Sequence, residues 1–408
     1  MFNFDITFLK SNNIYMQSKP GTIFVSIASY RDDVCSTTLD SLYTMADKKE
    51  RVYVGICQQN KNEEDRDIDC VSKGYQDHPN VKIIRIPHFD AKGPTHARYL
   101  CSTLWNGEEY FLQIDSHSKF VKGWDTLCIN MLTDIKNKGL SKKPVLSHYP
   151  KEISTYDEYN DTIKNNVTRI CKSFFNDRGM ISFMGAEEIN SNNVPYMTPY
   201  VAGGMVFCES YFLKELPFDP NLPFLFVGEE ILHSIRFYTN GWDVFTPTEN
   251  IVFHEYTRKD KPKIWTDNPY YSDIPAFDKV KYYLKLVDSD KDVKNYLKFN
   301  LDKYGLGTVR TLEDYYNFAG IDIVNKKVYK NFCRTNNIAT QEDILMSNEV
   351  NHKKDISEKN ITKNILNSLK NTLTLKNIIL FLIVIGIIAV IIYYILNKKL
   401  QFKISNKK

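Results

Sequence analysis

None of the eight cysteines (35, 57, 70, 101, 128, 171, 208 and 333) forms a C-x-x-C pair, so a zinc knuckle is not supported. Their spacing shows no disulfide framework either. Cys57, Cys101 and Cys208 lie among apolar neighbours and read as small core residues, and the domain is expected to be reduced and cytosolic. A strong charge of one sign is also missing. The net charge is +4, much of it in Lys clusters near the C-terminus, which argues against a nucleic-acid partner. Residues 1–20 lack the basic-then-apolar profile of a signal peptide, and no internal repeat is present.

What is present is ample for a large core: 408 residues, 43% hydrophobic and 25% charged, enough for one large domain or two small ones. The 26 Tyr and 24 Phe suit sugar and peptide contacts, although an A/T-rich genome would produce the same excess. The tripeptides at Asn160, Asn166 and Asn360 match the N-glycosylation pattern, as chance allows in an Asn-rich chain. Residues 378–396 form a run of 19 without a charge, the length of a membrane-spanning helix. Twelve residues follow it, with Lys at 398, 399, 403, 407 and 408. Insertion after release from the ribosome would leave the large domain in the cytosol, whereas the positive-inside rule would keep the Lys-rich tail there. The first orientation is expected, because no leader is recognisable.

Strands and helices alternate through the first part of the chain. Thr22–Ala28, Val52–Gln58, Val81–Ile86 and Tyr110–Ile114 read as strands, and Thr37–Ala46 and Pro94–Leu104 as helices. This is the pattern of βαβ units around a mainly parallel sheet, an α/β fold. Further strands are expected at Val145–Tyr149, at 202–207 and at Ile251–Phe253, with a helix over Glu229–Thr239. Ile153–Asn193 reads as a polar excursion or loop, and Lys259–Thr340 as helical and loop-like. The chain divides into an N-terminal segment (1–20), a catalytic domain (21–260), its extension (261–340), a polar stalk (341–377), the apolar span and a basic tail (397–408).

Ligands bind beyond the carboxyl ends of the strands in such sheets. Three polar clusters fall there: Ser29-Tyr30-Arg31-Asp32, Gln58-Gln59 and Asp115-Ser116-His117. An Asp and a His two apart at a strand end can reach one divalent cation, and that donor pair suits Mn²⁺ better than Mg²⁺ or Ca²⁺. A D-x-H alone is commonest in surface loops. His254, at the end of another strand, is the natural third ligand, though a lone His is usually structural. Glu229 and Glu230 open a helix, where they either complement its dipole or face a substrate. Arg98, on the helix before the D-x-H strand, can pair with anionic oxygens or be a solvated helix residue.

The stretches at 23–32 (IFVSIASYRD), 91–98 (AKGPTHAR), 113–117 (QIDSH), 228–230 (GEE), 254–258 (HEYTR) and 304–315 (YGLGTVRTLEDY) resemble glycosyltransferase family 60. These are the cytoplasmic-type N-acetylglucosaminyltransferases of hydroxyproline, Ser and Thr in polypeptides, one of which modifies a ubiquitin-ligase subunit. The resemblance spans about residues 21–325 and extends, more distantly, to the mucin-type polypeptide GalNAc-transferases. It implies a GT-A fold, with Asp115, His117 and His254 binding Mn²⁺ or another divalent cation. It implies that Arg98 and the Ser29–Asp32 loop contact the UDP-sugar, with Gln58, Gly93, Ser116, Gly203 and Gly204 in the same site, and that Glu229 or Glu230 faces the acceptor. The expected reaction is transfer of GlcNAc from UDP-GlcNAc to a protein hydroxyl with the α-configuration kept. The alternatives are a glycan acceptor, another sugar such as GalNAc, or a membrane-tethered binding or structural protein on the same fold that has lost turnover. The C-terminal membrane anchor departs from the family's usual soluble or N-terminally anchored forms.

Overall fold

The β-branched run after Gly21 becomes strand β1 (Lys19–Tyr30) in the computed structural model, which describes residues 19–334 except 63–66, 73, 192, 259 and 288–297. Then come α1 (Cys35–Thr44), β2 (Val52–Asn60), β3 (Val81–Pro87), α2 (Pro94–Ser102), β4 (Glu108–Asp115), β5 (Ser118–Phe120) and α3 (Trp124–Asn137). The middle of the chain holds β6 (Pro144–Ser147), β7 (Lys151–Glu152), α4 (Asp161–Asn165), β8 (Asn166–Arg169), β9 (Ser173–Phe175), β10 (Ile181–Phe183) and β11 (Glu187–Asn190). After β12 (Met205–Glu209) and α5 (Phe212–Glu215) come α6 (Glu229–Thr239), β13 (Asp243–Phe245), β14 (Val252–His254) and α7 (Ile264–Asp267). The last elements are α8 (Ile274–Tyr283), α9 (Leu301–Tyr304), α10 (Leu312–Ala319), β15 (Ile321–Asp322) and β16 (Lys327–Val328).

A seven-stranded sheet in the order β13-β6-β12-β4-β1-β2-β3 forms the centre. All its neighbours run parallel except β12, which opposes both β4 and β6. The fold is mixed α/β with a mainly parallel central sheet. Strand β1 is paired on both edges, and Ile23, Val25 and Ile27 on it are fully buried. That is why its sequence is apolar almost throughout rather than alternating. A second sheet, β5-β14-β7, pairs His254 with Ser118 and so carries β14 to the end of β4.

Two regions depart from the sequence reading. The 153–193 stretch, expected as an irregular excursion, contains two antiparallel ladders, β8 with β11 and β9 with β10. Beyond residue 259 the helices are joined by a small β15–β16 ladder. The cysteines need a correction as well: Cys35 is bonded to Cys70 and Cys171 to Cys333. Cys57, Cys101, Cys128 and Cys208 are free and buried. A wholly reduced domain is therefore not what the structure contains, and the cytosolic orientation loses its support from the cysteines. The stalk, apolar span and basic tail lie outside the described residues, among which no helix is long and apolar enough to cross a membrane.

Candidate active site

Strand β4 ends at Asp115, and the two residues before β5 are Ser116 and His117. Pairing of β14 with β5 then sets His254 against this turn, with the His117 and His254 ring centroids 4.5 Å apart. One ligand atom from each of Asp115, His117 and His254 lies within 4.8 Å of the others. Two sheets are needed to build this trio.

Surrounding groups fix two of the three. Arg98 Nη2 donates to Asp115 Oδ1 at 3.1 Å, and Asp115 Oδ2 lies 3.1 Å from His254 Nε2. Burial opposes charge on Asp115, yet the His254 contact and the Arg98 guanidinium outweigh it and hold its carboxyl well below the usual range. His117 Nδ1 lies 2.7 Å from Asp32 Oδ2, the oxygen to which Ser116 Oγ and Arg258 Nη1 each donate at 2.6 Å. Arg258 Nη1 is also 2.7 Å from His117 Nδ1. Nδ1 can either donate to Asp32 or accept from Arg258, not both; in the tautomer with Nδ1–H on Asp32, Nε2 is left as the ligand atom. A carboxylate behind an imidazole in this way fixes its tautomer and raises its basicity. Asp32 is 1% exposed, and these contacts hold it ionised against its burial. His254 Nδ1 is buried without a partner. One carboxylate, two imidazoles and a buried carboxylate behind one of them fit a divalent transition-metal ion.

The trio lines a cavity of about 900 Å³ that also includes Tyr30, Gln59, Gly93, Arg98, Tyr149, Gly203, Gly204, Glu229 and Glu230. Helix α2 delivers Arg98. It begins after Gly93, whose φ is +89°, with Pro94 in its first turn. A Cβ on Gly93 would stand 2.9 Å from the Phe224 backbone, so only glycine fits there. Arg98 pairs with Glu229 as well as Asp115 and donates to the Gly203 carbonyl at 3.1 Å. Its guanidinium is thus largely committed to holding the metal-side carboxylate.

The two glutamates part company here. Glu229 is buried against Arg98, whereas Glu230 is half-buried, accepting from Tyr149 Oη at 2.6 Å and from the Gly203 amide at 2.8 Å. Burial pushes the Glu230 carboxyl up to about 7, with those two hydrogen bonds only partly offsetting it.

The remaining expected residues are placed unevenly. Tyr30 reaches the cavity and donates to Asp267 at 2.9 Å, while Arg31 turns away to pair with Asp67 and Asp267. Ser29 is fully buried and does not line the cavity. Gln58 accepts from the Cys70 amide at 2.8 Å, and its neighbour Gln59 faces the cavity instead. Successive strand residues point to opposite faces, so a shift of one exchanges their duties. Sequence reasoning did not single out Arg258, Tyr149 or the apolar rim of Phe226, Tyr256 and Trp265. Arg258 did stand in the HEYTR stretch, four residues after His254, where a basic residue beside a ligand was the available signal.

No curated protein matches the sequence. Among solved structures, a crystal structure of GalNAc-T7 with UDP, GalNAc and Mn²⁺ is similar at 14% identity and a TM-score of 0.47, covering 72% of this chain and 56% of that one. A structure of S. aureus TarS (residues 1–349) in complex with UDP-GlcNAc is similar at 14% identity and a TM-score of 0.42, covering 66% of this chain and 68% of that one. The mannosyltransferase PcManGT from Pyrobaculum calidifontis, with GDP-Man and Mn²⁺, is similar at 12% identity and a TM-score of 0.37, covering 73% and 70%. The chain spans little more than half the length of the GalNAc-T7 structure. A family model described as Glycosyltransferase (GlcNAc) matches residues 22–78 and 71–325, most of the chain, and the chain belongs to that family.

Proposed function

We propose that this glycosyltransferase moves GlcNAc from UDP-GlcNAc to a protein hydroxyl, on hydroxyproline, Ser or Thr, with the α-configuration kept. The observation that carries the reading is the Asp115–His117–His254 trio, its ligand atoms within 4.8 Å of one another on the wall of a cavity large enough for a sugar nucleotide. Those three residues would hold Mn²⁺ or a similar cation, which supplies positive charge for a departing diphosphate. Asp32 and Arg98 orient two of them, His117 through its tautomer and Asp115 through one carboxylate oxygen. Glu229 is engaged by Arg98 and is poorly placed to act as a covalent nucleophile, which supports attack from the face the leaving group departs. Glu229 and Glu230 both line the cavity, and Glu230, which accepts from Tyr149 and the Gly203 amide rather than pairing with Arg98, is the carboxylate proposed to face the incoming hydroxyl. The chain is further proposed to be held to a membrane through residues 378–396.

The test is a panel of nucleotide sugars with Mn²⁺, read as UDP release, with chelation as the control. UDP-GlcNAc should be turned over and chelation should stop it. Turnover that survives full chelation would refute the metal assignment, and no release from any donor would favour a binding protein on this fold.

A further inference from the structure

The cysteines sort into two kinds, and the sorting points to a compartment. Cys35–Cys70 and Cys171–Cys333 take up four of them, and the other four, Cys57, Cys101, Cys128 and Cys208, are fully buried. Burial also pushes those four thiols up, away from the reactive thiolate. No cysteine is both unpaired and exposed. A chain that folds among thiol reductants gains nothing from such sorting. One that folds among oxidants does, because an exposed free thiol there pairs wrongly. Each bond forms by loss of two protons and two electrons from a thiol pair, taken up by the disulfide of an oxidising folding catalyst. The five Lys that follow residues 378–396 agree with this: the positive-inside rule keeps that end cytosolic and puts the chain before the span on the other side.

The oxidising lumen is also where the Asn of an Asn-x-Ser/Thr tripeptide is glycosylated. Two such tripeptides fall among the described residues, Asn160-Asp161-Thr162 and Asn166-Val167-Thr168, and the fold treats them differently. Asn160 and Thr162 are both exposed. Asn160 Oδ1 caps α4, accepting from the amides of Thr162 at 2.9 Å and Ile163 at 3.0 Å. Its Nδ2 has no hydrogen-bond partner among the described residues. A glycan takes the nitrogen and leaves the oxygen, so the cap and a sugar can coexist on this side chain. Asn166 is the reverse case. It lies half-buried in β8, its Nδ2 donates to Glu188 at 3.2 Å, and the Thr168 hydroxyl donates to the Tyr149 carbonyl. A glycan there would displace the Glu188 contact beside the β8–β11 ladder. Neither Asn160 nor Thr162 lines the cavity, so a sugar chain on Asn160 leaves the active site open.

We infer that the folded domain lies in an oxidising, lumenal compartment and carries an N-linked glycan on Asn160. The bond that forms joins Asn160 Nδ2 to the anomeric carbon of an oligosaccharide. The bond that breaks joins that carbon to the diphosphate of a lipid carrier, which leaves with the electron pair, and Nδ2 gives up one proton. The donor, a lipid-linked oligosaccharide diphosphate, is used by the cell's lumenal transferase and not by this chain's own cavity. The inference is independent of which sugar nucleotide that cavity takes.

The experiment uses the full chain expressed in eukaryotic cells. Release of N-glycans by an amidase converts a modified Asn to Asp, so peptide masses should then show Asp at position 160 and Asn at position 166. Thr162→Ala should abolish the modification while the Asn160 cap stays in place, and Thr162→Ser should keep it. Matching melting curves for those two variants would show that a lost glycan is not a lost fold. Peptide mapping without reduction should return the 35–70 and 171–333 pairs, and protease added to sealed membranes should spare the domain. An unmodified Asn160 in a chain that carries both bonds, or a glycan on Asn166 instead, would overturn the site. Recovery of those four cysteines as thiols, or digestion of the domain in sealed membranes, would overturn the compartment. Neither result touches the glycosyltransferase reading, which the nucleotide-sugar panel tests separately.

Discussion

The wall of the cavity that carries Asp115, His117 and His254 is made of the ends of strands paired on both sides, β4 between β1 and β12 and β14 between β5 and β7. The wall that carries Ile181–Phe183 is made of three-residue strands in a two-stranded ladder. On the first wall two of the three ligands are braced from behind: Asp115 by Arg98 and His117 by Asp32, which is itself held by Ser116 and Arg258. On the second, the ladder is secured at a distance, through the Cys171–Cys333 bond and the packing of Phe183 on Tyr200. An isolated ladder of two short strands is marginal by itself. The difference assigns duties: a charged ion needs fixed ligands, while the ladder is wall held in place by its surroundings. Substitutions on the first wall should therefore change metal binding and turnover, and those on the second should change stability.

The largest effect is expected from Asp115→Asn. A bound cation contributes several kcal/mol to charge stabilisation, so Mn²⁺-dependent UDP release should fall by about 10³-fold or more. The Arg98 contact survives in part, and the melting temperature should move little. Turnover near the unaltered level would show that the ion, if bound, is held elsewhere.

The same contrast governs what could be read from sequence. Asp115 and His117 follow the apolar run of β4 and His254 follows the unbroken apolar Ile251–Phe253, so each was legible as a strand-end residue; that His254 arrives on a second sheet was not. Arg98 was legible by its helix. Asp32 was flagged for the nucleotide, but its carboxylate is engaged by His117, a contact between residues 85 apart that no local pattern encodes. The second wall was not legible. Strands such as β9 and β10 offer three residues each, too few for a period of two to stand out, and their stretch read as a loop. The Cys171–Cys333 pairing spans 162 residues, and connectivity does not follow from spacing.

Replacing both Cys171 and Cys333 by Ala should lower stability by roughly 2–5 kcal/mol, the usual range for a native bond, measured by urea unfolding. The sharper expectation is selectivity: Mn²⁺ titration of the folded variant should be nearly unchanged while its melting temperature falls. Equal damage to both would mean that the two walls are one mechanical unit and the comparison fails.

Glu230→Gln tests the junction between the walls. Burial raises this carboxyl from 4.5 to about 7 in the folded protein. A raised carboxyl contributes stability that is full below its unfolded pKa and is lost as pH rises through the folded one. Between pH 4.5 and a little above 7 the unaltered chain should thus lose roughly 3 kcal/mol that the Gln variant does not. Other groups titrate in both proteins, so the difference between their unfolding curves at pH 5 and pH 8 isolates Glu230. Parallel pH dependences would show that Glu230 is ionised at ordinary carboxylate pH and solvated.

The smallest effect, and the most specific, belongs to Asp32→Asn. Asparagine fills the same space, but its amide can present a donor to His117 Nδ1 where the carboxylate could only accept. The imidazole proton would then be free to move to Nε2, the atom assigned to the ion. Arg258, whose Nη1 lies 2.6 Å from Asp32, would also lose its counter-charge and stand nearer in effect to the bound cation. Both changes weaken metal binding without removing a ligand, by roughly 10–100-fold in affinity, as is usual for a group supporting a ligand from behind. Titration of free Mn²⁺ by electron paramagnetic resonance reads this directly, with no turnover needed. A purely structural Asp32 would instead lower the melting temperature and leave the Mn²⁺ isotherm where it was.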